Sequence, residues 1–240
     1  MMSKKIEKLL NFFFPSRCVL CDRVVRDKKS VCPDCHEKLT LLSEVRTCKK
    51  CSHPVPEGAV FCDVCLTHPH YFTACFAAAI YKKELRRSII KFKFYKRPDL
   101  HRGLAGLILM RLAKFDLLPK FDAVIGVPLS EKRLEERGYE QAVLIAKVIA
   151  KELGVKLLKK CIKKIKDVPA QSKLSYAKRQ QNLRGAFEIT NYKKVKGKVI
   201  LLVDDIYTTG ATVDEISKIL LEAGAKEVYV ATVALTELGS

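Results

Sequence analysis

Two sets of residues in this 240-residue chain are spaced for chemistry: a pair of adjacent carboxylates ahead of a hydroxyl-rich turn, and eight cysteines in four Cys-x2-Cys knuckles. Residues 199–203 are a continuous apolar run, the pattern of a strand buried on both faces. Asp204 and Asp205 follow at its C-terminal end. Then come Tyr207-Thr208-Thr209-Gly210-Ala211-Thr212 and a helical apolar pattern at Val213, Ile216, Ile219 and Leu220. Ligands of open α/β sheets bind beyond the carboxyl ends of the strands, and backbone N–H groups at a helix start favour a phosphate. Two carboxylates can accept hydrogen bonds from vicinal hydroxyls. Phosphate plus diol is the outline of a ribose 5-phosphate. A plain strand–turn–helix with an acidic cap is the alternative, and the order of strand, acid pair and small hydroxylated loop argues against it.

The cysteines repeat without error. Cys18-x2-Cys21-x10-Cys32-x2-Cys35 is followed by Cys48-x2-Cys51-x10-Cys62-x2-Cys65, thirty residues on. Two such pairs make the tetrahedral thiolate cage that Zn²⁺ prefers, with no position left for water, so the expected zincs are structural. One site per repeat is the simplest pairing, and interleaved pairing of the knuckles is also open. So short a segment has little core of its own and leans on the metal for stability. Cys75 and Cys161 lie outside the pattern and read as packing thiols. His36, His53, His68 and His70 flank the cages and are expected beside them rather than in them.

Composition excludes several classes. With 48% apolar residues the chain is globular, and no apolar run approaches the roughly 20 residues of a membrane span. Residues 4–14 are basic, then apolar. The apolar part is too short for a signal peptide and lacks a small-residue cleavage site. We read residues 1–17 as an amphipathic segment that packs on the protein, with transient membrane or partner contact as the other reading. Thiols arranged for metal point to a cytoplasmic location. The formal charge is +19. Eight zinc-bound thiolates would bring residues 1–75 to neutrality, whereas residues 82–100 carry +6 and residues 156–184 carry +9. Such a field attracts polyphosphates and nucleic acid alike. For Lys159, Lys160, Lys163 and Lys164 alone a solvated surface is the preferred reading.

Elements that could position the acid pair are legible on either side. Residues 76–81 read as a strand, which puts a boundary near residue 72. Residues 85–94 read as a basic amphipathic helix running into Lys91-Phe92-Lys93-Phe94-Tyr95-Lys96-Arg97. Its aromatics either stack bases or bury Phe92 and Tyr95 while the lysines stay in water. Residues 122–129 form a second core strand ended by proline. Arg133 and Arg137, four apart, share one helix face and can meet an anion, with Glu135 and Glu136 as competing partners. Residues 141–153 form a helix that Gly154 stops, residues 167–175 look like a mobile loop, and residues 227–233 are the last strand. This order predicts an α/β fold with a mostly parallel, doubly wound sheet.

The stretch Val203-Asp204-Asp205-Ile206-Tyr207-Thr208-Thr209-Gly210-Ala211-Thr212 resembles the phosphoribosyl-pyrophosphate (PRPP) motif of type I phosphoribosyltransferases. With Lys91-Phe92-Lys93, Arg97-Pro98-Asp99-Leu100, Val127-Pro128-Leu129, Arg133-Leu134, Arg137-Gly138-Tyr139, Gln171-Ser172, Leu174-Ser175, Arg179 and Asn182-Leu183-Arg184-Gly185-Ala186-Phe187, the whole chain resembles the ComF family of competence-associated proteins. That resemblance implies a double zinc-binding segment over residues 18–71 and a type I phosphoribosyltransferase-like domain over residues 72–240. It implies that Asp204 and Asp205 hold the ribose and serve any catalysis, and that the loop with Tyr207, Thr208, Thr209, Gly210, Ala211 and Thr212 wraps the 5′-phosphate. Mg²⁺ would accompany PRPP. Lys91, Lys93 and Arg97, with Arg133 and Arg137, are the candidates for the pyrophosphate. Implied partners are PRPP, single-stranded DNA, and a DNA-uptake helicase or membrane-channel components, and the implied role is DNA uptake in natural transformation. A non-catalytic PRPP-sensing nucleic-acid module and a nucleobase salvage enzyme are the other readings. The chain departs from the family in two places. Ser130 stands where a histidine is usual and Glu140 where an asparagine is usual, which leaves the phosphate side intact and the acceptor side unassigned.

Overall fold

The first repeat and the second fold alike. In the computed structural model, which describes residues 16–25, 29–115, 118, 120–167 and 182–237, each repeat begins with a knuckle and ends in a short helix, α1 (Pro33–His36) and α2 (Asp63–Thr67). The Cys18 N–H donates to the Arg23 carbonyl and that of Val19 to Ser30. Thirty residues on, Cys48 donates to His53 and Lys49 to Val60. Asp22 and Ser52 take the same left-handed φ, +62° and +67°. The sequence repeat is therefore a structural repeat, and the cysteines pair one quartet per repeat: Cys18, Cys21, Cys32 and Cys35, then Cys48, Cys51, Cys62 and Cys65.

Five strands follow in one parallel sheet, in the order β1-β7-β6-β2-β3. They are β1 (Cys75–Ile80), β2 (Ala123–Gly126), β3 (Lys156–Leu157), β6 (Val199–Tyr207) and β7 (Glu227–Leu235). A short antiparallel pair, β4 (Ile162–Lys164) with β5 (Phe187–Ile189), stands apart from it. Strand alternation sends Leu201 and Val203 into a core with α3 (Lys83–Phe94), α4 (His101–Leu112) and α6 (Gln141–Glu152). It sends Ile200 and Leu202 to the opposite face, against α7 (Ala211–Glu222) and the β4–β5 pair. The expected doubly wound α/β architecture is thus present, with helices on both faces.

Strand bounds differ from those read in the sequence by one or two residues for the first and last strands, β1 and β7, and by more for two others. β6 runs on through the acid pair to Tyr207, because β7 also runs on and the ladder continues to Tyr207 opposite Leu235. Asp204 and Asp205 are strand residues rather than the start of a loop. The second strand ends at Gly126; the Val127 N–H still reaches the Val203 carbonyl, and Pro128 then has none to offer. Most of the expected N-terminal amphipathic segment, residues 1–15, and most of the expected mobile loop lie outside the described residues.

The ribbons are built into the sheet rather than appended to it. β1 is an edge strand, a row of backbone groups in need of partners. The link between the ribbons covers it: the Leu42 N–H donates to Ala78, and that of Ile80 donates to Thr40. The first ribbon rests on α4, where a Cβ at Gly103 would come within 2.6 Å of Val19. Arg111 of α4, only 7% exposed, clasps the link through Nη1 to the Leu42 carbonyl (2.7 Å) and Nη2 to the Thr47 hydroxyl (3.0 Å). The cysteines of the first repeat share the α4 core, and those of the second share the α7 core.

Arg111→Ala removes both bonds and leaves a buried carbonyl unpaired. It should cost about 2–3 kcal/mol, read as a lower urea midpoint, while bound zinc stays at the native content.

Candidate functional site

The site stands at the C-terminal end of β6. Neighbouring residues of a strand face opposite ways, so the two carboxylates diverge. Asp205 lies on the α3 side, where Lys93 Nζ reaches its Oδ1 at 2.8 Å. Asp204 Oδ1 accepts the Asp205 N–H at 2.8 Å. Burial, and then the neighbouring Asp205 carboxylate, push the Asp204 pKa up to about 7, with Lys93 pulling it back. After Tyr207 the chain turns through residues 208–210 and enters α7. Gly210 has φ +78°, and a Cβ there would collide with the Tyr207 ring, so the turn needs glycine. Thr208 is exposed, and Thr209 and Thr212 are half-buried. The loop thus offers hydroxyls and helix-start N–H groups beside the acids, the chemistry of a phosphate cradle.

Cations face this end from three elements. Arg137 ends α5 (Glu131–Arg137); it lies over the Phe94 ring at 5.1 Å and donates to Gln141 Oε1 at 2.9 Å. Burial lowers its pKa, and the nearby Asp205 works against that. Lys164 in β4 is lowered by burial and by Arg133, with Asp167 and Asp204 opposing. Arg133 Nε stands 3.7 Å from Asp167 Oδ1, and the buried Ser130 hydroxyl donates to that same oxygen at 2.9 Å. Buried Gln141 keeps an Nε2 with no hydrogen-bond partner among the described residues. Paired acids, a phosphate cradle and an arc of cations can hold a ribose phosphate bearing a second anionic group.

Of the residues singled out in the sequence, the structure gathers Asp204, Asp205, the 207–212 loop, Lys93, Arg133 and Arg137. Lys91 is exposed; two positions from Lys93 on a helix, it points elsewhere. Arg97 is held by Asp99 (2.8 Å) and by Asp22 of the first ribbon (3.0 Å). Tyr207 is buried, its ring turned from solvent. Phe92 is buried as expected, whereas Tyr95, expected to bury with it, is 69% exposed, and Phe94 is 64% exposed. Lys164 was placed with the solvated lysines. Its two-residue spacing from buried Ile162 was the signal that it shares the inward face of β4.

The cysteine quartets fit zinc. In each, the four sulfurs lie within 4.8 Å of one another. Cys21 and Cys32 approach to 3.7 Å and Cys51 and Cys62 to 3.5 Å, near the edge of about 3.8 Å in a tetrahedron with Zn–S bonds of about 2.3 Å. Cys75 and Cys161 are buried away from them, and burial pushes both thiols up, Cys161 to about 11. His53 is beside the second cage, with Nδ1 3.2 Å from Cys51 Sγ. His70 is buried against Asp214 and stacks on Phe72.

Two family models and several known proteins match this chain. A double zinc ribbon domain model matches residues 9–66, and a phosphoribosyl transferase domain model matches residues 139–237. The DNA utilization protein YhgH of Salmonella typhi is 30% identical over 216 residues, 89% of this chain and 87% of that one. Competence protein F of Haemophilus influenzae is 30% identical over 223 residues, 91% and 96% of the two chains. Competence protein ComFC of Bacillus subtilis is 28% identical over 232 residues, 86% and 89%. With relatives at that identity across nine-tenths of its length, and with a type I phosphoribosyltransferase-like fold behind a double zinc ribbon, the chain belongs to the ComF family of competence proteins.

Proposed function

We propose that the chain binds PRPP with Mg²⁺ at the end of β6 and handles single-stranded DNA during DNA uptake. The observation that carries the ligand is the meeting of the Asp204–Asp205 pair, the 208–212 loop and Lys93, Arg137 and Lys164 at one strand end. The acids accept from the ribose hydroxyls, the loop takes the 5′-phosphate, and the cations face the pyrophosphate. The residues suit Mg²⁺ as a companion of the ligand, held mostly by ligand oxygens and water. Lys93 pairs with Asp205 before ligand arrives, which keeps that carboxylate compensated and leaves a cation at hand.

The DNA reading draws support from the relatives' names, competence protein and DNA utilization protein, and from exposed Phe94 and Tyr95 beside Lys91 and Lys96. Bases stack on such rings while the backbone meets the cations. Transfer of the phosphoribosyl group is a separate part of the proposal. The anomeric C–O bond to pyrophosphate breaks, a bond to an acceptor nucleophile forms, and the acceptor's proton leaves. Positioned cations stabilise the departing pyrophosphate. Among the described residues no helix is long and apolar enough to cross a membrane.

Calorimetric titration of PRPP with Mg²⁺ should show saturable binding to the native chain and none to the Asp204→Ala, Asp205→Ala double variant; equal binding by both would sink the proposed site. DNA binding should weaken steeply with salt, and pyrophosphate release in the presence of acceptor separates transfer from sensing.

The raised Asp204 pKa makes a second prediction. Its folded-state value lies above the ordinary 3.8, so between about pH 4 and pH 7 the folded chain holds a proton that the unfolded chain has lost, and this group's contribution to stability falls as pH rises. Asp204→Asn should therefore melt higher than the native chain at pH 8, with the difference closing by pH 4, while PRPP binding is lost. A variant less stable at pH 8 would refute the electrostatic account.

A further inference from the structure

The second ribbon meets the back of the phosphate loop. Tyr207, the last residue of β6, puts its ring over Gly210, and that ring is enclosed on the far side by ribbon residues. His53 meets it edge-on at 5.8 Å and Phe72 at 6.3 Å. His70, stacked on Phe72, faces Asp214 in the first turn of α7, and the Tyr71 N–H donates to the same carboxylate at 2.7 Å. Behind the loop lies Thr236, whose N–H donates to the Tyr207 carbonyl at 2.9 Å and whose hydroxyl reaches the Thr208 carbonyl at 3.4 Å.

His53 joins these parts. Its Nδ1 lies 3.2 Å from Cys51 Sγ, and its Nε2 lies 3.1 Å from the Thr236 carbonyl. A carbonyl can only accept, so Nε2 donates. The contact spans 183 positions of sequence and is partly buried. The first repeat has Arg23 at the corresponding place, with its side chain on Asp34 at the surface. The knuckle fold is the same in both repeats, so the histidine is not needed to form a knuckle.

We infer that His53 is a positioning residue for the phosphate loop: it fixes the backbone at Thr236, and through Thr236 and Tyr207 the loop at 207–210, against the rigid second cysteine cage. As far as it concerns PRPP, the inference rests on the function proposed above. A loop that presents N–H groups to a phosphate must hold them in place before the ligand arrives, since ordering them on binding weakens affinity. Among the described residues the cage is a four-sulfur cluster of buried or half-buried residues, a stiffer support than a lone turn.

The test compares the zinc-loaded native chain with His53→Ala, His53→Gln and, in the first repeat, His36→Ala. It reads zinc content, amide exchange of the peptide spanning 204–213, and PRPP affinity. His53→Ala should retain native zinc, exchange faster in that peptide, and bind PRPP about three- to tenfold more weakly. His53→Gln, whose amide reaches the same carbonyl, should recover most of both. His36→Ala should change neither. Native-like exchange in His53→Ala, or a glutamine variant no better than alanine at equal zinc content, overturns the inference. If alanine loses zinc, the glutamine variant decides: native exchange with native zinc upholds it, and fast exchange with native zinc or loss of zinc overturns it. The exchange arm needs no ligand. Failure of the native chain to bind PRPP would strike the proposed function and leave this arm to judge His53 by itself.

Discussion

Two carboxylates side by side at the end of a buried strand repel each other, and the surroundings of β6 are what make that arrangement tenable. The strand cannot bend away, because β2 and β7 hold it on both sides and the β7 ladder reaches Tyr207. Lys93 compensates Asp205 directly, while burial, and then the neighbouring Asp205, make Asp204 retain a proton more readily. Carboxylates perturbed in this way cluster at functional sites.

The same constraint explains why the cations come from separate elements. A cluster of lysines and arginines on one helix would repel itself. Here α3, α5 and β4 each send one or two, and each is checked by a carboxylate or an aromatic ring. Arg133 has Asp167, Arg137 has Phe94, and Lys164 has Phe187. The β4–β5 pair is therefore part of the site, although it lies outside the main sheet.

Local chemistry was legible in the sequence. The acid pair, the glycine turn, the cysteine quartets and the alternation of strands and helices all depend on neighbours within a few positions, and the structure repeats them. What the sequence concealed depends on packing between distant segments. Arg97 pairs with Asp99 two positions on, which the sequence could suggest, and also with Asp22, 75 positions away, which it could not. Tyr207 belongs to the loop motif, yet its ring is buried by a ribbon that precedes it by more than 130 residues. The true end of β6 was set by the length of β7. Lys164 alone carried a readable signal, the two-residue spacing from Ile162, which a run of basic residues obscured.

The duplication shows how one small fold came to make two different contacts. Both knuckles place a residue with positive φ just after the second cysteine and another one step beyond. In the first repeat these are Asp22 and Arg23: Asp22 reaches across to Arg97, and Arg23 stays at the surface with Asp34. In the second they are Ser52 and His53, and both are buried. Ser52 accepts from the Ala77 N–H and donates to the Cys75 carbonyl, closing the edge of β1, while His53 reaches the end of β7. A cage of four cysteines fixes the knuckle whatever stands at these two positions, so they were free to specialise for what each ribbon touches. Charged residues suit the ribbon that lies on the helical face near solvent; small or planar polar residues suit the one wedged beside the turn after β6, where an unpaired charge would be costly. The cysteine-rich segment is thus a support cut to fit two different parts of the sheet.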